Sequence, residues 1–221
     1  MKRTLPSLLS RGEGTDQLPE RARAAVRAQE DASERLIGWI QLGVVLTFGT
    51  LYAIAPTTDI MSEFASLVPM ALALYFLFTV VRLLLSYRIS LPDWYLGLSG
   101  LTDLALLLTL IWSFHLQYEQ PPPFYLKAPT MLYLFIFIAL RALRFEPRYV
   151  LHTGLAAALG WGVLVAYAMT YGEGMPLTRD YVEYLTSNTI LLGGEFDKII
   201  TILVVTAILT GRSYRMSAMM A

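Results

Sequence analysis

Blocks of consecutive apolar residues dominate the pattern along this chain, and short polar stretches separate them. An α-helix needs about 20 mostly apolar residues to cross the hydrocarbon core of a bilayer, so blocks of this length predict membrane-spanning helices. Six blocks qualify, and the fourth is the shortest. We place the six spans at residues 36–56, 66–87, 94–116, 129–145, 149–170 and 196–212.

The polar residues before the first span predict a cytoplasmic segment. They contain no apolar stretch ahead of a small-residue cleavage site, so they are not a secretion signal. From Pro19 we expect a helix with proline in its first turn, which continues into span one. Its apolar positions are mostly alanine, so a helix that packs on a partner is the alternative. The expected regions are a tail and helix (1–34), a membrane domain (35–212) and the start of an exit helix (213–221).

The longest outer loop, residues 171–194, predicts a short interfacial helix folded across the outer mouth of the bundle. Thr178 is placed to cap this helix, with Asp180 in its first turn. Gly193 and Gly194 predict a break before span six.

Composition supports the membrane assignment. The 221 residues are 56% hydrophobic and 15% charged, whereas soluble domains carry about 25% charged residues. Cysteine is absent, which excludes disulfides and thiolate metal sites. The fold class is therefore an all-α, polytopic membrane protein with a six-helix bundle.

The basic residues orient this bundle. Lysine and arginine accumulate on the cytoplasmic side of membrane proteins, and a cytoplasmic N-terminus leaves only three of the 17 basic residues outside. The sequence therefore predicts that both termini are cytoplasmic. The three outer basic residues are Lys127, Arg179 and Lys198.

Several strings point to a known family. The stretches "FIFIALRALRFEPRYVLHTGLAAALGW" (135–161) and "TRDYVEYLTSNTILLGGEFDKIITILVV" (178–205) resemble the membrane domain of bacterial class III adenylate/guanylate cyclases. "RLIGWIQLGVVLTFGTLYAIAP" and "IWSFHLQYEQPPPFYLKAPT" extend the resemblance over roughly residues 35–210. In that family a six-helix domain precedes a short cytoplasmic transducer helix and a cyclase domain that works as a dimer.

The resemblance implies a regulatory role without catalysis in these residues. The cyclase domain, which would use Mg or Mn to convert ATP to cyclic AMP, would follow residue 221, so no catalytic residue can be carried over. The expected function is a membrane anchor and receptor domain in the bacterial inner membrane, which relays a signal through the sixth span. Its expected partners are the bilayer, a second copy and a small ligand or cation, with no nucleic acid.

Asp103 is the one acid deep within a predicted span. It lies about 14 Å from the inner end of span three, at roughly 1.5 Å per residue. A charge at this depth costs about 2.5–3.5 kcal/mol on insertion scales, so Asp103 must pair or take up a proton. Arg82 and Arg141 each lie about five residues from an inner span end, within reach of Asp103. A structural ion pair and a ligand or proton site both fit this pattern.

A second candidate site lies at the outer mouth. His115 and Glu119 are spaced to share a helical face, and Glu195 and Asp197 begin span six at the same level. Imidazole and carboxylate groups suit a divalent cation, so these four residues predict a ligand or metal site. Capping of helix ends by the same acids is the alternative. Eight acids are predicted on this side: Asp59, Glu63, Glu119, Glu173, Asp180, Glu183, Glu195 and Asp197.

The pattern of spans also fits other classes of protein. A small transporter or channel would need a polar path across the bilayer, and most spans around Asp103 are continuously apolar. A passive membrane anchor, or a sensor for a kinase or diguanylate cyclase, is compatible with the same spans.

Overall fold

The computed structural model describes residues 20–54, 67–89, 91–144, 146–172 and 177–220, and within them the protein is all-helical with no named strand. The long apolar blocks form long helices because each backbone group finds its partner within the same helix. Two 3-10 turns, Pro122–Lys127 and Pro129–Leu132, lead into the fourth helix. The helices are α1 (Glu20–Ile54), α2 (Leu67–Arg88), α3 (Asp93–Gln117), α4 (Tyr133–Ala142), α5 (Pro147–Tyr171), α6 (Tyr181–Thr186) and α7 (Leu192–Met220).

Four helices of the described chain are long and apolar enough to cross a membrane: α1, α2, α3 and α5. They coincide with predicted spans one, two, three and five. The predicted fourth span is a shorter apolar segment, Pro129–Ala142, whose first turns are 3-10 helix. The predicted sixth span lies within α7, which is not among the four. Six spans and their orientation therefore stay predictions.

The helices pack around one apolar core, to which α1, α2, α3, α4, α5 and α7 all contribute. One end of the bundle, called here the α6 end, carries the ends of α3 and α5, the 122–127 turn, α6 and the start of α7. The opposite end, called the Arg144 end, carries the starts of α3 and α5. Arg144 follows α4 there, and Ser33 of α1 donates to the Leu143 carbonyl at 3.2 Å.

Helix α7 approaches α5 closely because Gly154 lacks a side chain. A Cβ atom at this position would overlap the side chain of Thr206 on α7. In contrast, a Cβ atom at Gly162, two turns further along α5, would meet no heavy atom within 4 Å. Gly154 therefore allows α7 to approach α5 at Thr206, whereas Gly162 plays no such role.

The structure corrects two local predictions and confirms a third, and a fourth falls outside the described residues. The cap of α6 is Asp180, whose Oδ1 accepts from Val182 N at 2.8 Å, and not Thr178. Gly193 and Gly194 do not break the chain before span six, because α7 begins at Leu192 and includes both. Helix α1 continues from the polar region into the first span without interruption, as predicted. Residues 1–19 of the predicted tail lie outside the described residues.

Candidate functional site

A cluster of charged side chains fills the core toward the Arg144 end. We call it the ionic cluster; its members are Glu34 and Gln41 on α1, Arg82 on α2, Asp103 on α3, Arg141 on α4, and Arg144. Asp103 is at its centre. Its Oδ2 atom accepts from Arg141 Nη2 at 2.6 Å and from Arg82 Nη1 at 3.0 Å. The Gln41 side-chain amide donates to the same oxygen.

Glu34 forms the second half of the ionic cluster. One carboxylate oxygen accepts from Arg82 Nη2 at 2.8 Å, and the other accepts from Arg144 Nη1 at 3.0 Å. Arg82 also donates to Gln41 Oε1 at 2.8 Å. Arg82 therefore bridges both acids and connects three helices, whereas Arg141 has one cluster partner, Asp103.

The ionic cluster is desolvated and carries excess positive charge. The side chains of Arg82, Asp103 and Arg141 are between 1% and 3% exposed. Three arginines face two carboxylates, so the six residues together carry a formal charge of +1. A buried ion pair is expensive to form, and removing one partner typically costs about 3–5 kcal/mol because the other charge stays buried. The cluster therefore fixes the mutual arrangement of α1, α2, α3 and α4.

Sequence reasoning identified three members of this cluster and missed three. Asp103 is in direct contact with both Arg82 and Arg141, the two residues that the sequence places near it. Glu34, Gln41 and Arg144 were not singled out. The signal for Gln41 was present, because a polar residue within an apolar span is a candidate partner for an intramembrane charge.

A second network forms at the α6 end, around Glu195. Although Glu195 begins a helix, its side chain is only 1% exposed. Its Oε2 accepts from Trp161 Nε1 at 3.0 Å, and its Oε1 accepts from Lys198 Nζ at 2.7 Å. Lys198 also donates to the Leu126 carbonyl at 2.7 Å and lies 5.1 Å from the centroid of the Trp161 ring. We call Trp161, Glu195, Lys198 and the Leu126 carbonyl the Glu195 network.

The Glu195 network explains how a carboxylate is buried at the start of α7. Each carboxylate oxygen has its own donor, so the buried charge is compensated. The network connects α7 to the middle of α5 and to the 122–127 turn. Trp161 was not predicted, although a tryptophan in mid-span needs a partner for its N–H and so signals a buried acceptor.

The 122–127 turn connects the Glu195 network to α6. Lys127 donates to the carbonyls of Tyr184 and Ser187, and its ammonium lies 4.7 Å from the centroid of the Tyr184 ring. Burial, followed by the nearby charge of Lys198, lowers the pKa of Lys127. Burial raises the pKa of the Tyr184 phenol to about 12. Lys127 thus satisfies carbonyl groups at the end of α6, and no carboxylate of the described residues forms an ion pair with it.

The four residues predicted to hold a cation at the outer mouth are not brought together. Helix α3 ends at Gln117, and Glu119 is exposed with a φ of 49°, so it does not share a helical face with His115. His115 is buried and donates from Nδ1 to the Trp112 carbonyl at 2.5 Å. Asp197 is exposed, while Glu195 is buried in its own network.

The metal prediction is therefore not supported by the described residues. Among them, no group of three or more His, Asp or Glu side chains could hold a metal ion. Of the eight acids predicted on the outer side, Glu195 is in a buried ion pair. Three of the other acids, Asp59, Glu63 and Glu173, lie outside the described residues.

Comparisons with protein-family models, with curated proteins and with solved structures find no match to this chain. The fold and composition themselves define a class. This is a helical membrane protein, with four described helices long and apolar enough to span a bilayer.

Proposed function

We propose that this chain is the membrane anchor and receptor domain of a class III adenylate cyclase, located in the bacterial inner membrane with both ends in the cytoplasm. In this proposal two copies pair and control how two cyclase domains meet. The strings at 135–161 and 178–205 support the family, and the long apolar helices are consistent with its membrane domain.

One observation carries the receptor role. Helix α7 is continuous over 29 residues, from the Glu195 network at the α6 end to Met220. A rigid helix transmits a displacement at one end to the other, whereas a broken helix absorbs it. In the proposed orientation the Glu195 network is on the outer side and residue 220 is in the cytoplasm.

The ionic cluster supplies the fixed frame in this mechanism. It joins α1, α2, α3 and α4 by ion pairs, and no residue of α7 belongs to it. Helix α7 is instead held against α5 by the Gly154–Thr206 contact and by Trp161. A signal would act by favouring one of two positions of α7 against this frame, which requires different affinities for the two positions.

A fusion protein tests the proposal. The chain is joined through its exit helix to the catalytic domain of a class III adenylate cyclase and expressed in bacteria that lack their own cyclase. We expect Glu195→Gln and Lys198→Met to change cyclic AMP output at equal expression, because each disconnects α7 from α5 or from the 122–127 turn. Asp197→Asn is the matched control, since Asp197 is exposed on the same turn.

Two results would contradict the proposal. If both network variants give the wild-type output at equal expression, α7 does not relay a signal and the chain is a passive anchor. If the fusion protein makes no cyclic AMP while the isolated catalytic domain does, the assignment to the cyclase family is wrong.

A further inference from the structure

The hairpin that carries α6 is an ordered element with several of its apolar side chains exposed. Residues 177–190 are closed by a parallel bridge between Leu177 and Ile190, with Thr178 N donating to the Ile190 carbonyl at 3.0 Å. Thr178 Oγ1 donates to Glu183 at 2.5 Å, and Asp180 caps the helix. Several polar groups of the hairpin are thus paired within it, while Lys127 and Gln120 bind others from outside.

No residue of α6 is buried. Four large apolar side chains of the hairpin are exposed, and the exposed fraction is 67% for Val182 and 62% for Tyr181. A six-residue helix is far below the length at which an isolated helix is stable in water. An exposed apolar patch on such an element indicates a binding surface. The four side chains are Leu177, Tyr181, Val182 and Leu185.

The position of the hairpin identifies what covers this patch. It lies between the end of α5 at Tyr171 and the start of α7 at Leu192, where a spanning helix leaves the hydrocarbon core. The patch is followed along α7 by exposed apolar residues, Phe196 and Ile200, which the predicted sixth span would present to lipid. Exposed tyrosines at this end, Tyr118 and Tyr171, match the aromatic belt of a membrane–water interface.

We propose that the α6 hairpin is a lipid-binding element, which inserts Tyr181, Val182 and Leu185 into the interface of the bilayer leaflet at the α6 end, and that Lys127 couples its depth to the first turn of α7. This inference rests on the proposed function in one respect only: it names the bilayer surface as the input that α7 relays. Amphipathic segments of this kind respond to lipid composition and packing.

The coupling follows hydrogen bonds that two neighbouring residues of the 122–127 turn make, one to α6 and one to α7. Lys127 binds the last carbonyls of α6, and its neighbour Leu126 accepts from Lys198 on the first turns of α7. Lys198 in turn binds Glu195. A hairpin that moves relative to the bundle therefore pulls on the 122–127 turn and, through it, on α7.

Lipid contact is tested with the full chain in phosphatidylcholine vesicles. Because the chain has no cysteine, Val182→Cys and Leu185→Cys each provide a single site for an environment-sensitive fluorophore. We expect blue-shifted emission at both sites, and quenching by phosphatidylcholine that carries a nitroxide on its acyl chain. Arg179→Cys, an exposed polar position on the same hairpin, is the control and should report water. Water-like, unquenched emission at 182 and 185 overturns lipid binding, and blue-shifted emission without nitroxide quenching overturns it too, because protein would then cover the patch instead.

The coupling is tested by amide hydrogen exchange on the same vesicles. Lys127→Met should increase exchange in both 181–187 and 192–198, whereas Lys127→Arg should retain protection because it keeps a cationic donor. Faster exchange in the hairpin alone would refute the coupling. None of these measurements needs a cyclase domain, so their failure is distinguishable from failure of the proposed function.

Discussion

Replacement of Asp103 by asparagine tests whether the ionic cluster holds the bundle together. Asparagine keeps the size of the side chain and one carbonyl acceptor but removes the charge. Among the described residues, Asp103 Oδ1 has no hydrogen-bond partner, whereas Oδ2 has three donors. The amide nitrogen can therefore occupy the Oδ1 position without displacing a donor, so the variant reports the loss of charge rather than of shape.

The expected cost follows from the distances. At an effective dielectric constant of about 20, a unit charge 2.6–3.0 Å from each arginine is attracted by roughly 5–6 kcal/mol per pair. Part of this attraction is offset, because asparagine no longer requires desolvation of a carboxylate. Breaking a buried pair typically leaves a net cost of about 3–5 kcal/mol. We expect Asp103→Asn to lower the free energy of unfolding by that amount, since Arg82 and Arg141 would then each lose a carboxylate partner while they stay buried.

A double-mutant cycle with Arg141 separates the interaction free energy of the pair from the other effects of each substitution. Arg141 has Asp103 as its one partner in the cluster, and its removal cancels the excess positive charge. Arg141→Met should therefore cost less than Arg82→Met, which removes one donor each from Glu34, Gln41 and Asp103. Asp103→Asn combined with Arg141→Met should be more stable than the sum of the single effects predicts, by about 0.5–3 kcal/mol.

The assay is reversible unfolding of the detergent-solubilised chain with increasing denaturing detergent, followed by helical circular dichroism. Strictly additive effects in the cycle would refute the pairing. An Arg141→Met variant that is less stable than Arg82→Met would refute the assignment of Arg82 as the bridging residue.

Three further predictions address other contacts. Gly154→Val should destabilise the chain by about 1–3 kcal/mol through overlap with Thr206, while Gly162→Val, in open space, should have little effect in the same titration. Trp161→Phe should cost about 1–3 kcal/mol, because it leaves buried Glu195 without one donor; an equal loss in a Glu195→Gln background would contradict this. Single cysteines in 117–127 and 177–190 should react with impermeant reagents on intact cells, whereas those in 88–93 should be protected, and the reverse pattern would overturn the orientation.

The prediction of the Asp103 contacts needed only local information. Its depth within an apolar span requires a partner, and helical rise alone places Arg82 and Arg141 at a similar depth. The Glu34 contacts were not predictable in this way. Arg82 and Arg144 are 48 and 110 residues away from it along the chain. Whether Glu34 faces them depends on the rotation of α1 about its axis, which apolar periodicity defines poorly in a helix that is exposed to lipid on one side.

The expected grouping of four residues at the α6 end differs from the structure for another reason. His115 and Glu119 were placed on one helical face because the apolar pattern does not show where α3 ends. The helix stops at Gln117, and the positive φ of Glu119 turns the chain away. Glu195 and Asp197 were grouped by sequence proximity, yet the rotation of α7 buries one against Trp161 and exposes the other. Side-chain direction at a helix start depends on packing between helices that are distant in sequence.

The contact of Gly154 on α5 with Thr206 on α7 gives α7 the geometry of a lever with unequal arms. The fulcrum is Gly154 against Thr206. From Glu195 to this point the helix measures about 16 Å, and from there to Met220 about 21 Å, at roughly 1.5 Å per residue. A sideways displacement of the short arm would therefore reappear at the far tip about 1.3 times larger and in the opposite direction. Moving the fulcrum by one turn, with a glycine at Ala158 and a bulky residue at Gly154, would alter this ratio and with it the amplitude of motion at Met220.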